Sequence, residues 1–345
     1  MITNPFFVSG PNSRIKTKEI YSFKTILPQN INTIMSLEVS NSLQKYKNIH
    51  YRFSLFSKNI HLTIRNINEH LYDKYNHIMN SNNNILLYQN IIQPYSSLYE
   101  YLYLTIKSPN DKFYLFVNMF KYLSHSLHIL QQETIVLLNI SPYTIITNGD
   151  IPVINNLFQS FIYNNLSHER IKSIFNKTYA VNIFLPIEYH VILFLNNYID
   201  ETDTINEKQL ITICDDFVGK YGLRSLNLFS CDSLKEYKEE AYFYLSSLLQ
   251  KTKTDIIQNL LQKSYTWNNY QTSIIFLLFL RDFFIIKLPT LLHSNSFISH
   301  TFSLLSQNIH FDSSKRGNET NNILCIDNIL NNTSDSTFYQ LFYLR

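Results

Sequence analysis

Glycine is nearly missing from this chain. Only Gly10, Gly149, Gly219, Gly222 and Gly317 occur in 345 residues. No two lie closer than Gly219 and Gly222, so neither a G-x-G-x-x-G turn nor a Walker loop can be assembled. Charge is also scarce: 16% of residues are charged, against about a quarter in ordinary soluble domains. The 29 basic and 26 acidic residues leave a formal charge of +3, with no basic block, so nucleic acid is not an expected partner. Cys214, Cys231 and Cys325 are too few and too scattered for a disulfide framework or a zinc pattern. They are expected to be free thiols of an intracellular, reducing compartment. The longest apolar run, Ile274 to Leu280, is closed by Arg281 and Asp282. A span needs about 20 apolar residues, so no membrane crossing is expected. MITNPFFVSGPNSRIK has no basic stretch leading into an apolar one, and no signal peptide is expected.

What is present is apolar mass: 45% hydrophobic residues, 15% of all residues being aromatic. The aromatics are dispersed, as core residues are. Asn, Ser, Tyr and Ile are abundant, the usage of an AT-rich coding sequence. Residues 1–92 read as a small β-rich region. Its pieces are Glu19–Ile26, His50–Phe56, Asn59–Ile64 and Asn84–Asn90, around one helix within Asn30–Tyr46. Residues 93–345 read as a larger helical region. A long helix is predicted over 111–130, where Phe116, Phe120, Leu123, Leu127 and Leu130 share a face. Further helices are predicted at 185–198, 236–252, 254–263, 268–288, 295–308 and 320–331. Residues 199–235 read as irregular surface. The overall expectation is α+β.

Between these helices stands IVLLNISPYTIITNGDIPVINNLF, Ile135 to Phe158. It reads as strand, corner, hairpin and second corner, with Asn148-Gly149 suited to the tight turn. Five segments in collinear order then resemble the protein-kinase fold, in particular divergent serine/threonine-kinase-like proteins of large DNA viruses. Asn139 to Ile146 resembles the catalytic loop H-R-D-x-K-P-x-N-I-L, matching at Pro142, Ile145 and Ile146. Val153 to Ser160 is similar to I-x-D-F-G-x-S, and Leu185 to Glu188 to the A-P-E turn. Thr266 to Tyr270 resembles T-W-D-N-Y, and Ile309 to Arg316 the closing H-P-x-P-x-x-R segment. The resemblance covers about residues 85–320. It implies a two-lobed fold, with residues 1–92 as a degenerate N-lobe and 93–345 as the C-lobe.

The resemblance also shows what has been replaced. Asn139 stands for the catalytic aspartate, Ser141 for the phosphate-contacting lysine and Thr144 for a metal-binding asparagine. Asn156, or Asn155 after a one-residue shift, stands for the magnesium-binding aspartate. Asn268 stands for the aspartate that braces the loop from below. An amide keeps the shape but cannot accept a proton, and general bases contribute about 10²–10⁴-fold. Mg²⁺ relies on carboxylates and phosphates. Lys24 in YSFKTI is the counterpart of the strand lysine, with Glu38 as its helix partner. Glu188 and Arg316 are retained, and the resemblance implies that they pair.

The expectation is therefore a pseudokinase that binds or scaffolds a protein partner. Its cofactor is ATP without Mg²⁺, or none. The alternatives are a divergent active kinase served by Glu133 or Asp150, and a helical interaction protein unrelated to kinases. Other clusters are thin. His125 and His128 lack a third ligand, the Asp215-Asp216 pair reads as a solvated turn, and Trp267 reads as a core anchor.

Overall fold

The computed structural model describes residues 19–28, 30–62, 84–93, 96–105, 109–147, 151–155, 157–201, 203–285 and 297–332. Strand β1 (Glu19–Pro28) leads to helix α1 (Ile31–Leu43), whose start is capped by Asn30 Oδ1 accepting from Thr33 N at 2.9 Å. β2 (Phe56–Leu62) and β3 (Asn84–Gln93) complete an antiparallel sheet of order β1-β3-β2. The predicted strand over His50–Phe56 is instead a 3₁₀ turn at Ile49–Tyr51 and a single parallel bridge from Phe53 to Ile154. Asn48 enters that turn at φ 60°, which curls the chain where a strand would extend.

β4 (Ser96–Ser97) precedes a helical turn, α2 (Leu98–Glu100), and a π-helical turn at Tyr101–Thr105. The long helix α3 (Pro109–Gln132) follows. Then come β5 (Ile135–Leu137), the antiparallel pair β6 (Ile145–Thr147) and β7 (Pro152–Ile154), and β8 (Ser160–Ile162) against β5. The rest is helical: α4 (His168–Ile174), α5 (Ile187–Tyr198), α6 (Glu207–Val218), α7 (Cys231–Ser246), α8 (Lys253–Leu261), α9 (Trp267–Leu280), α10 (Phe297–Asn308) and α11 (Glu319–Asn332). The architecture is α+β and mostly helical. α6 corrects the reading of 199–235 as irregular. Asn206 and Gln209 form a reciprocal capping box, and Leu210, Ile213, Cys214, Phe217 and Val218 make its buried face.

α9 is the axis of the helical part. Trp267 to Leu277 are all buried, with α3, α10 and β5 packed around them, as suits a helix with apolar residues on every side. Its three carboxamides, Asn268, Asn269 and Gln271, are bonded rather than exposed. Asn269 Nδ2 donates to Gly317 O (2.6 Å), Gly317 N to Asn308 Oδ1 (3.1 Å), Asn308 Nδ2 to Asn322 Oδ1 (2.9 Å) and Asn322 Nδ2 to Asn269 Oδ1 (2.7 Å). The four bonds close a ring that joins α9, α10 and α11. A Cβ at position 317 would stand 2.8 Å from Asn308 Oδ1, so the glycine is what lets the ring close.

His190 on α5 is fully buried between two backbone groups. Nδ1 donates to Pro186 O at 2.9 Å, and Nε2 accepts from Asn182 N at 3.0 Å. Burial outweighs the Pro186 contact and lowers the imidazole from 6.5 to about 4. A depressed histidine stabilises the fold in full above its ordinary value. That contribution fades as pH falls from 6.5 to about 4, a loss of about 3 kcal/mol in all. Urea titrations across this range are expected to show the slope, and His190→Gln is expected to flatten it.

Candidate functional site

The loop from Asn139 to Thr144 is a closed, self-satisfied corner. Thr144 Oγ1 donates to Asn139 O (2.8 Å) and accepts from Ser141 N (2.9 Å). Ser141 Oγ lies 3.2 Å from the same hydroxyl. Asn139, Ser141 and Thr144 are thus brought into one turn, and the threonine hydroxyl is spent on closing it. Asn155 N donates to Thr144 O (3.0 Å), which sets the second corner beside the first. Asn156 lies outside the described residues. The side chain of Lys24 does also, although its backbone is paired with Tyr88 in the β1–β3 ladder.

Two carboxamides on α9 hold the corner from beneath. Asn268 Oδ1 accepts from Leu137 N (2.9 Å) while Nδ2 donates to Ile135 O (2.8 Å). Gln271, one turn on, accepts from Ile140 N (3.0 Å) and donates to Leu137 O (2.6 Å). All four bonds are buried, and each amide uses both its donor and its acceptor. Asn268 is therefore matched to this loop as an amide, since a carboxylate has no donor for Ile135 O. Gln271 escaped the sequence reading. Its signal was a carboxamide three residues from Asn268, hence on the same face, on a helix that turns wholly apolar from Ile274.

Beyond the second corner Gln159 sits at φ 62°, a left-handed conformation that costs about 1–2 kcal/mol for a residue with a Cβ. It is held there by Leu138 N donating to its carbonyl (3.2 Å) and by Lys177 Nζ donating to Oε1 (2.7 Å). Phe158 packs on Phe56 with ring centroids 5.3 Å apart, and Leu37 of α1 joins that contact. The second corner is thereby packed against the N-terminal part.

Glu38, the expected partner of Lys24, has a described partner in Arg170. Arg170 of α4 grips both its oxygens, Nη1–Oε2 and Nη2–Oε1 each at 2.7 Å. Such a fork satisfies a carboxylate bidentately. A second clamp lies at the far end of α1. Glu133 receives Ser42 Oγ (2.8 Å), Lys45 Nζ (2.7 Å) and Tyr46 OH (2.5 Å). Burial opposes the Glu133 charge, yet these hydrogen bonds prevail and hold it below the usual carboxylate range. Burial and the Glu133 contact push Tyr46 up to about 12. Helix α1 is pinned at its middle and at its C-terminal end to the helical part, and both Glu133 oxygens are engaged by donors.

Glu188 and Arg316 meet below the corner. Arg316 Nη2 lies 2.8 Å from Glu188 Oε2, both side chains fully buried. The other guanidinium nitrogens donate to His310 O (2.6 Å) and Thr266 Oγ1 (3.0 Å), and the cation lies over the Tyr270 ring at 5.3 Å. Trp267 is wholly buried. Asp215, read as a solvated acid, is exposed on α6 and bonded to Lys238 at 2.9 Å. His128 Nε2 lies 3.1 Å from Gln132 Nε2. Among the described residues no three His, Cys, Asp or Glu gather to hold a metal ion, and no helix is long and apolar enough to cross a membrane. No protein-family model matches the chain, and no curated protein matches it either.

Proposed function

We propose that the chain is a two-lobed, kinase-like protein without phosphotransfer chemistry, a pseudokinase acting as a binding or scaffolding module. The observation that carries this reading is the corner at 139–144. Asn139, Ser141 and Thr144 come together in one turn, with no carboxylate in either the 139–144 or the 151–158 stretch. The turn rests on neutral amides from α9. The Glu188–Arg316 pair adds support, because it ties the LPIE turn to the closing segment. In this reading the cofactor is ATP without Mg²⁺, or none.

Calorimetric titration of ATP with and without Mg²⁺, on wild type and Lys24→Ala, tests the reading. The expected result is no tightening by Mg²⁺ and no phosphate transfer. Mg²⁺-dependent binding with transfer lost in Lys24→Ala would overturn it in favour of a divergent active kinase. That alternative needs acids from elsewhere, and Glu133 is already occupied by three donors. Asp150, its other candidate acid, lies outside the described residues.

A helical interaction protein unrelated to kinases is the second reading. It is favoured by the three strands of the N-terminal sheet among the described residues, where the kinase lobe has five. It is favoured too by α6, α7 and α8 standing between the LPIE and TWNNY segments. It predicts no nucleotide binding under either condition, together with indifference to Lys24→Ala.

A further inference from the structure

Helix α7 turns an unusual face to solvent. Leu234, Ala241 and Leu245 fix its buried side. At about 100° per residue, Phe243 projects directly away from them, and it is 81% exposed. No core contact accounts for a phenylalanine in that position. The residues that share the outward face are Asp232, Glu236, Glu239 and Glu240, all exposed. Among the described residues, Lys235 pairs with this stripe, 3.9 Å from Glu239, while Lys238 turns aside to Asp215 of α6. Tyr242 OH donates to Glu207 at 2.7 Å, so α6 buttresses the helix from the flank. The result is a rigid acidic ridge ending in one exposed ring, on a chain whose net charge is +3.

We propose that this face of α7 docks a basic protein segment, rich in lysine or arginine, with an apolar pocket that receives Phe243. The ring is the kind of aromatic anchor that dominates interface energetics. The surrounding carboxylates supply steering and select the partner's sign. Nucleic acid and anionic membranes are repelled by the same charges. A second copy of this chain seated symmetrically would oppose four carboxylates with four more. The proposal concerns α7 alone and stands apart from any question of nucleotide binding.

The test uses the full chain and three short synthetic peptides: a lysine–leucine peptide patterned as an amphipathic helix, its glutamate–leucine counterpart and a lysine–serine control. Binding is followed by fluorescence anisotropy. The expected result is saturable binding of the lysine–leucine peptide, with at least about tenfold weaker binding by the other two. Phe243→Ser is expected to weaken it about tenfold, a hot-spot-sized loss. The double variant Glu236→Lys/Glu240→Lys is expected to do the same and to remove most of the salt dependence. Both variants change exposed positions, and unchanged melting temperatures verify the fold. No binding by wild type, or binding equal in Phe243→Ser and wild type, overturns the proposal. Light scattering that shows a dimer dependent on Phe243 also overturns it, by assigning the face to a second copy.

Discussion

Arg316→Met is expected to lower the unfolding free energy by about 3–5 kcal/mol, the cost of leaving a buried charge without its partner. Glu188 Oε2 meets the guanidinium at 2.8 Å, whereas Oε1 has no hydrogen-bond partner. Removing the arginine therefore strands a carboxylate in a dry site. It also removes the donor shared by His310 O, Phe311 O and Thr266 Oγ1. Arg316→Lys is expected to recover little, because one ammonium cannot reproduce a planar fork aimed in several directions. The double variant Glu188→Gln/Arg316→Met is expected to be more stable than Arg316→Met, since no orphan charge remains. Urea denaturation of the four proteins checks the set. A loss under about 1 kcal/mol for Arg316→Met would show that the site is wetter than its zero exposure indicates.

Asn268→Asp carries the second large effect, and it runs against the intuition that the aspartate of the resembling T-W-D-N-Y segment should fit here. The new oxygen would replace Nδ2, which now donates to Ile135 O across 2.8 Å. Two acceptors would face each other in a buried place. The acid can escape only by taking a proton, which would raise its pKa above the ordinary value of about 3.9. A raised carboxyl pKa costs little at low pH and progressively more as pH rises. Asn268→Asp is thus expected to be about 3 kcal/mol less stable than wild type at neutral pH, the deficit shrinking toward pH 4. It is also expected to bring no phosphotransfer, since Asn139 is untouched. Chemical denaturation at several pH values gives the slope. A variant as stable as wild type throughout would mean that the amide is not matched to the loop.

The helical part was the more legible half of the sequence. α3 and α9 announce themselves because burial repeats along one face of the first and around all faces of the second. α6 was hidden by its polar surface, although Leu210, Ile213, Cys214 and Phe217 carry the helical period. The 3₁₀ turn at Ile49–Tyr51 has no such period, because its conformation is set by Asn48 and by contact with β7. At the site, the place of Asn268 beneath the corner could be read from TWNNY, and Glu188 and Arg316 from their segments. The partner of Glu38 could not. Arg170 lies 132 positions away, and nothing local marks which distant cation a carboxylate will meet. The donor role of the Asn268 amide was equally invisible, since it depends on the Ile135 carbonyl in a strand that the residue only reaches after folding.

The ring of Asn269, Asn308 and Asn322 with Gly317 has a sense of circulation. A peptide N–H can only give and its C=O can only receive, so Gly317 dictates which way every amide around the circle must point. Turning any one amide over would set two donors face to face at one junction and two acceptors at the other. The three carboxamides therefore behave as one polarised unit with a single allowed state. That unit is completed only when α9, α10 and α11 have all arrived in register. Each bond joins two elements, and the circle closes only with all three helices in place. An amino-acid usage that looks like coding bias across the chain becomes, at this spot, a lock that fixes three helices in one register.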